Sequence, residues 1–136
     1  MNPFIKPGIE VDKVKVLVVE DVPMTLHLLK SLLSCFSFQL QTASDATEAM
    51  ERIEQDVPHL VLLDTVLFDV ESLGLIQQLR SNEQTRHIPV ILMGSSRDGD
   101  KIEKGMELGA NAYVCKPFVV DHLYEIIARQ INSLFD

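Results

Sequence analysis

The chain has no tryptophan and only two cysteines, and aromatic residues make up 6% of its 136 positions. So few cysteines exclude a disulfide-stapled mini-domain and the paired Cys/His spacing of a zinc module. Cys35 and Cys115 lie inside apolar segments, which predicts buried, reduced thiols. Positive charge is also scarce, with 12 Lys and Arg against 20 Asp and Glu and a formal net charge of −8. That balance excludes a nucleic-acid partner, because phosphate backbones require clustered cations. No apolar run approaches the roughly 20 residues of a membrane helix, so no membrane partner is expected. The N-terminus lacks the apolar core of a secretory signal, and the expected location is the cytoplasm. Glycine and proline number six each, and no linker, repeat or low-complexity stretch divides the chain. The histidines His27, His59, His87 and His122 show no ligand spacing and read as structural or surface residues.

What the chain does have is a set of short apolar runs that end in charge. Leu60-Val61-Leu62-Leu63 follows Pro58-His59 and ends at Asp64, the pattern of a strand buried on both faces. Val14 to Val19 ends in the same way at Glu20 and Asp21, and Ala112 to Cys115 ends at Lys116-Pro117. Between the runs the apolar residues recur at helical spacing. The reading along the chain is a 1–13 extension without regular structure, then strands at 14–19, 38–42, 60–63, 90–93 and 112–115. Helices alternate with them at about 22–36, 46–56, 72–81, 100–108 and 119–134. Ser44 or Asp45 caps the second helix, Ser72 the third, and Gly109 stops the fourth. Five strands alternating with five helices form an α/β domain, a parallel sheet covered on both faces, over 14–136.

A parallel sheet brings all strand C-termini to one edge, where open α/β sheets place their ligand crevice. Glu20, Asp21 and Asp64 therefore converge. Clustered carboxylates repel one another, and a hard, oxygen-seeking cation such as Mg²⁺ relieves that repulsion. A carboxylate beside such a metal can act as a nucleophile towards phosphorus, and Lys116 brings a cation to a transferred phosphoryl group. Any one of these residues alone has a plainer explanation: Asp21 as a helix cap, Lys116-Pro117 as an uninformative dipeptide. Their order on three strands points to phosphoryl chemistry.

With Val-Val-Glu20-Asp21-Val22-Pro23, Leu-Leu-Asp64, Ile88-Pro89-Val-Ile-Leu-Met and Gly109-Ala-Asn-Ala-Tyr113-Val-Cys-Lys116-Pro117-Phe118 in place, the chain resembles the response-regulator receiver domain of two-component signalling. The likeness covers nearly everything beyond the N-terminal extension. It implies a flavodoxin-like three-layer (βα)5 fold with strand order 2-1-3-4-5. It further implies that Asp64 is the phosphoacceptor, receiving its group from a sensor histidine kinase or phosphotransfer protein. Glu20, Asp21 and Asp64 would bind Mg²⁺ together with the backbone carbonyl of Val66. Lys116 would pair with phosphoryl oxygens, preceding Pro117 across a cis bond, and Tyr113 matches an aromatic whose position reports activation. Such a protein is a signalling module rather than an enzyme. The expected form is a stand-alone receiver that signals to a downstream protein through the surface around the fourth helix, fifth strand and fifth helix.

The chain departs from the family pattern near the site. In the family the end of strand four carries a Ser or Thr whose hydroxyl contacts the phosphoryl group and couples it to the output face; this chain has Gly94 there, with Ser95 and Ser96 as the expected substitute hydroxyls. After Asp64 it reads Thr65-Val66-Leu67-Phe68-Asp69-Val70-Glu71-Ser72, without the family's proline and glycine. Phe68 is expected to be an exposed aromatic beside the site, and Asp69 to face water. These changes motivate an alternative, a receiver-like interaction module whose switch is altered and works without phosphorylation. A haloacid-dehalogenase-type phosphohydrolase is disfavoured because the first strand lacks its two-residue Asp spacing. A flavodoxin is disfavoured because the loop after Val19 is acidic where a phosphate cradle is Gly- and Ser/Thr-rich.

Overall fold

The computed structural model describes residues 3–65 and 70–135, with the side chains of 70–72 and 96 excepted. Strands β1 (Lys15–Val19), β2 (Gln39–Ala43), β3 (Leu60–Asp64), β4 (Val90–Gly94) and β5 (Ala112–Cys115) form one parallel sheet in the order β2-β1-β3-β4-β5. They alternate with α1 (Pro23–Leu33), α2 (Ala46–Gln55), α3 (Val70–Ser81), α4 (Gly99–Leu108) and α5 (Val120–Leu134).

The period-two alternation of strands divides the core in two. Val16, Val18, Leu60, Leu62, Ile91, Met93 and Val114 pack with α1 and α5 on one face. Leu17, Val19, Val61, Leu63, Val90 and Leu92 pack with α2 and α3 on the other. Every residue of β3 and β4 is buried, as central strands covered on both faces must be. Each such aliphatic side chain contributes about 1.5–3 kcal/mol relative to exposure. Asp64 is thereby carried, completely buried, at the end of a central strand covered on both faces.

Several element ends differ from the sequence reading. Helix α1 stops at Leu33 and tightens into a 3-10 turn at Ser34–Phe36, closed by Ser37 in the left-handed region at φ 60°. Ser34 bonds back to the Ser31 carbonyl at 2.7 Å, which favours the tighter turn. Helix α2 is capped by Asp45, whose Oδ1 accepts from Glu48 N at 2.8 Å, while Ser44 donates to the Glu48 carboxylate. Helix α3 begins at Val70, so Ser72 lies inside it rather than capping it. Asp69 and Ser72 are both capping residue types, and periodicity does not choose between them. Both cysteines are exposed, contrary to expectation. Cys35 sits in the 3-10 turn that turns Phe36 inward, and Cys115 is on an edge strand of which Val114 alone is fully buried.

The segment before β1 was expected to be irregular, yet it holds a 3-10 turn at Val11–Lys13 and packs onto the core. Ile5 is buried, and Phe4, Ile9 and Val11 lie against the α1/α5 cluster. Asn132 of α5 fastens it, with Oδ1 accepting from Lys6 N at 3.0 Å and Nδ2 donating to the Phe4 carbonyl at 3.1 Å. Tyr124 of α5 meets the rings of Phe4 and Phe36 edge-on and donates its hydroxyl to the Leu32 carbonyl.

On the opposite face Arg80 ties two connections together, α3–β4 and α4–β5. Its Nε donates to the Gly109 carbonyl (3.0 Å), Nη1 to the carbonyls of Arg86 (3.1 Å) and Ile88 (2.8 Å), and Nη2 to Asn111 Oδ1 (2.8 Å). No carboxylate takes part in these contacts, so the guanidinium acts as a backbone clamp. Gly109, at φ 120°, lets the chain pass against its stem, because a Cβ there would lie 3.0 Å from Arg80 Cγ. Arg80→Ala is expected to destabilise the domain by about 2 kcal/mol through the carbonyls left without donors, as read by urea unfolding. A variant as stable as the parent would show that water replaces the clamp.

Candidate functional site

Three strand ends bring three of the expected residues together. Glu20 follows β1, held there as its N–H donates to the Ala43 carbonyl at 2.9 Å. Asp64 ends β3. Lys116 follows β5, anchored as its N–H donates to the Gly94 carbonyl at 2.8 Å, and precedes Pro117 across a cis bond. The Lys116 ammonium lies 2.7 Å from Asp64 Oδ2 and 3.5 Å from Glu20 Oε1. Two carboxylates, at 0% and 2% exposure, thus share one partly accessible cation.

The charge balance is unequal. Burial pushes the Glu20 carboxyl up to about 7, reinforced by its hydrogen bond to Asp64 and that neighbour's charge; Lys116 opposes the shift without cancelling it. Glu20 Oε2 is buried with no hydrogen-bond partner among the described residues. An orphaned carboxylate oxygen beside a second carboxylate is the donor chemistry a hard cation seeks. The residues present therefore fit Mg²⁺. Among the described residues no three His, Cys, Asp or Glu side chains converge closely enough to hold a metal by themselves. The Asp21 residue is exposed. The Val66 carbonyl lies outside the described residues, as do Phe68 and Asp69.

Beside the end of β4, at the end of β3, lies a residue that sequence reasoning missed. Thr65, directly after the buried Asp64, is itself fully buried. Its Oγ1 lies 3.1 Å from the Met93 carbonyl and 3.0 Å from Asp98 Oδ2. A Cβ built on Gly94 would lie 2.3 Å from that Oγ1, so Thr65 fills the space a side chain at 94 would need. The available signal was a glycine at a position expected to carry a hydroxyl, with a threonine on the adjacent strand. Ser95, one of the expected substitutes, is engaged in the turn that follows. It caps the 3-10 turn Ser96–Asp98, accepting from Arg97 N at 3.3 Å, while its own N–H donates to Asp98 Oδ2 at 3.0 Å. The Ser95 N–H, more than any other contact, holds the Asp98 carboxyl below the usual range. Tyr113 on β5 is exposed, at 45%.

The model of the response regulator receiver domain matches residues 16–128. The transcriptional regulatory protein KdpE of Staphylococcus aureus is 37% identical over 109 residues, covering 80% of this chain. That match spans 46% of the regulator, so this chain corresponds to less than half of its length. A probable chemotaxis protein CheY of Rhizobium etli is 27% identical over 90% of this chain and 96% of its own. Among solved structures, the receiver domain of NtrX from Brucella abortus superimposes with a TM-score of 0.78 at 27% identity, covering 87% of this chain and 98% of that one. The sheet order, the buried acid at the end of the third strand and these matches agree: the chain belongs to the response regulator receiver domain family.

Proposed function

We propose that Asp64 accepts a phosphoryl group from a histidine kinase or phosphotransfer protein, and that the protein relays this state through protein–protein contact. The observation that carries the reading is the buried Asp64 carboxylate held 2.7 Å from Lys116 and beside Glu20. A carboxylate must be ionised to attack phosphorus, and the adjacent ammonium favours that form. An Asp64 oxygen forms the new O–P bond as the donor's P–N bond breaks, and the departing imidazole takes up a proton. Lys116 then stands ready to pair with the phosphoryl oxygens. Glu20, Asp21, Asp64 and the Val66 carbonyl would hold Mg²⁺, which would supply positive charge to offset the clustered carboxylates and the phosphoryl oxygens.

The outgoing surface in this reading is a groove of about 450 Å³ lined by Met106, Tyr113, Cys115, Val119 and His122. Its exposed apolar residues suit a protein partner. Among the described residues no helix is long and apolar enough to cross a membrane, which is compatible with a cytoplasmic site of action.

Incubation with acetyl phosphate and Mg²⁺ is expected to add one phosphoryl mass, mapped to the peptide carrying Asp64 and lost when Mg²⁺ is chelated. A protein that stays unmodified, or is modified elsewhere, removes the reading. The alternative, signalling without phosphorylation, is favoured by Gly94 and by a β4–α4 turn already fastened to Thr65. Full activity of an Asp64→Asn variant in cells would select it.

A further inference from the structure

We propose that Thr65 takes over the role left vacant at Gly94, coupling the state of Asp64 to the start of α4 through Asp98. The inference rests on the phosphoacceptor reading above. Thr65 is peptide-bonded to Asp64, and its hydroxyl occupies the volume a side chain at 94 would fill. That hydroxyl has one proton and two acceptors at nearly equal distance, the Met93 carbonyl at 3.1 Å and Asp98 Oδ2 at 3.0 Å. The two acceptors belong to different elements. Met93 is fixed within the sheet, whereas Asp98 is the residue immediately before α4.

Asp98 Oδ2 also collects the Ser95 N–H at 3.0 Å and the Ser95 hydroxyl at 3.3 Å. Asp98 Oδ2 thus gathers the turn leading into α4, and Thr65 links that oxygen to the end of β3. A phosphoryl group on Asp64 places added negative charge one residue from Thr65. It repels the Asp98 carboxylate, leaving the Met93 carbonyl as the hydroxyl's acceptor. The hydrogen bond leaves Asp98, and the turn is freed from the end of β3. The two acceptors supply the two discrete arrangements that a switch requires. Ser95 cannot serve in this way, because its hydroxyl already works inside the turn.

The test is hydrogen exchange of residues 95–108 with and without saturating beryllofluoride and Mg²⁺, in the parent, Thr65→Val, Thr65→Ser and Asp98→Ala. Beryllofluoride uptake is followed separately by fluorine NMR. The parent and Thr65→Ser are expected to show faster exchange across 95–108 once loaded. Thr65→Val is expected to load with affinity reduced by no more than about tenfold, the scale of one hydrogen bond, and to show no loading-dependent change there. Asp98→Ala is expected to exchange fast in both states. If saturated Thr65→Val responds like the parent, the coupling role is overturned. Should Thr65→Val fail to fold, Asp98→Ala decides alone, and a parental response from it overturns the inference. Failure of the parent itself to load removes the phosphoacceptor reading first, and is seen before any variant is compared.

Discussion

Asp64→Asn is expected to take up no detectable phosphoryl group, while the metal-free protein becomes less sensitive to pH. An amide nitrogen or oxygen is no nucleophile towards phosphorus here, so the loss is complete and is read as an absent mass shift. The pH effect follows from Glu20. Its carboxyl is raised in the folded state from 4.5 to about 7, mainly by burial and then by Asp64. A group raised on folding contributes stability that is fully present below its unfolded value and is lost as pH rises through the folded one. In metal-free buffer, the parent therefore loses a contribution of a few kcal/mol between pH 4.5 and 7. Asparagine at 64 removes both Asp64 effects and leaves Lys116 facing Glu20 alone, so the variant's loss across that window shrinks. The comparison is made as the difference between the two proteins, since other carboxylates titrate in both. Parallel stability–pH curves would show that Asp64 does not govern Glu20.

Gly94→Thr, which installs the hydroxyl residue the family usually carries, is expected to destabilise this domain by about 3 kcal/mol. The new Cβ would lie 2.3 Å from Thr65 Oγ1 and 3.2 Å from both Thr65 Cγ2 and Asp98 Oδ2. Thr65 has little room to move, since it is fully buried and hydrogen-bonded on two sides. Thr65→Ala opens that space, so the double variant Thr65→Ala with Gly94→Thr should recover most of the loss. Each single change is harmful, the first by leaving a cavity and the second by overlap, and the two compensate. A double-mutant cycle in urea measures the coupling. Additive effects, or a Gly94→Thr protein as stable as the parent, would mean the overlap is relieved by another movement.

The fold was legible because its signals are local and redundant. The runs ending at Val19, Leu63 and Met93 are each buried on both faces, and periodicity alone distinguishes them from the amphipathic α2 and α5. The meeting of Glu20, Asp64 and Lys116 followed from topology, since a parallel sheet gathers strand ends. What escaped reading depends on cross-strand geometry. Thr65 and Gly94 are far apart in sequence, and only the register that sets Asp64 opposite Met93 makes them complementary in size. The exposure of Cys115 was hidden for a related reason, because an apolar run does not reveal that its strand lies at an edge. The packing of Phe4 and Ile5 was masked by Pro3, Pro7 and Gly8, which mark a break in regular structure and say nothing about burial.

The missing tryptophan leaves the protein with a simple optical signature. Its near-ultraviolet emission comes from two tyrosines in opposite settings. Tyr113 is open to solvent on the strand that leads to Lys116, whereas Tyr124 is wedged between Phe4 and Phe36. An aqueous quencher reaches the first more readily than the partly buried second. A change in the quenchable fraction therefore reports the site side of the molecule, and a change in the protected fraction reports undocking of the N-terminal segment. One unlabelled sample can follow both events.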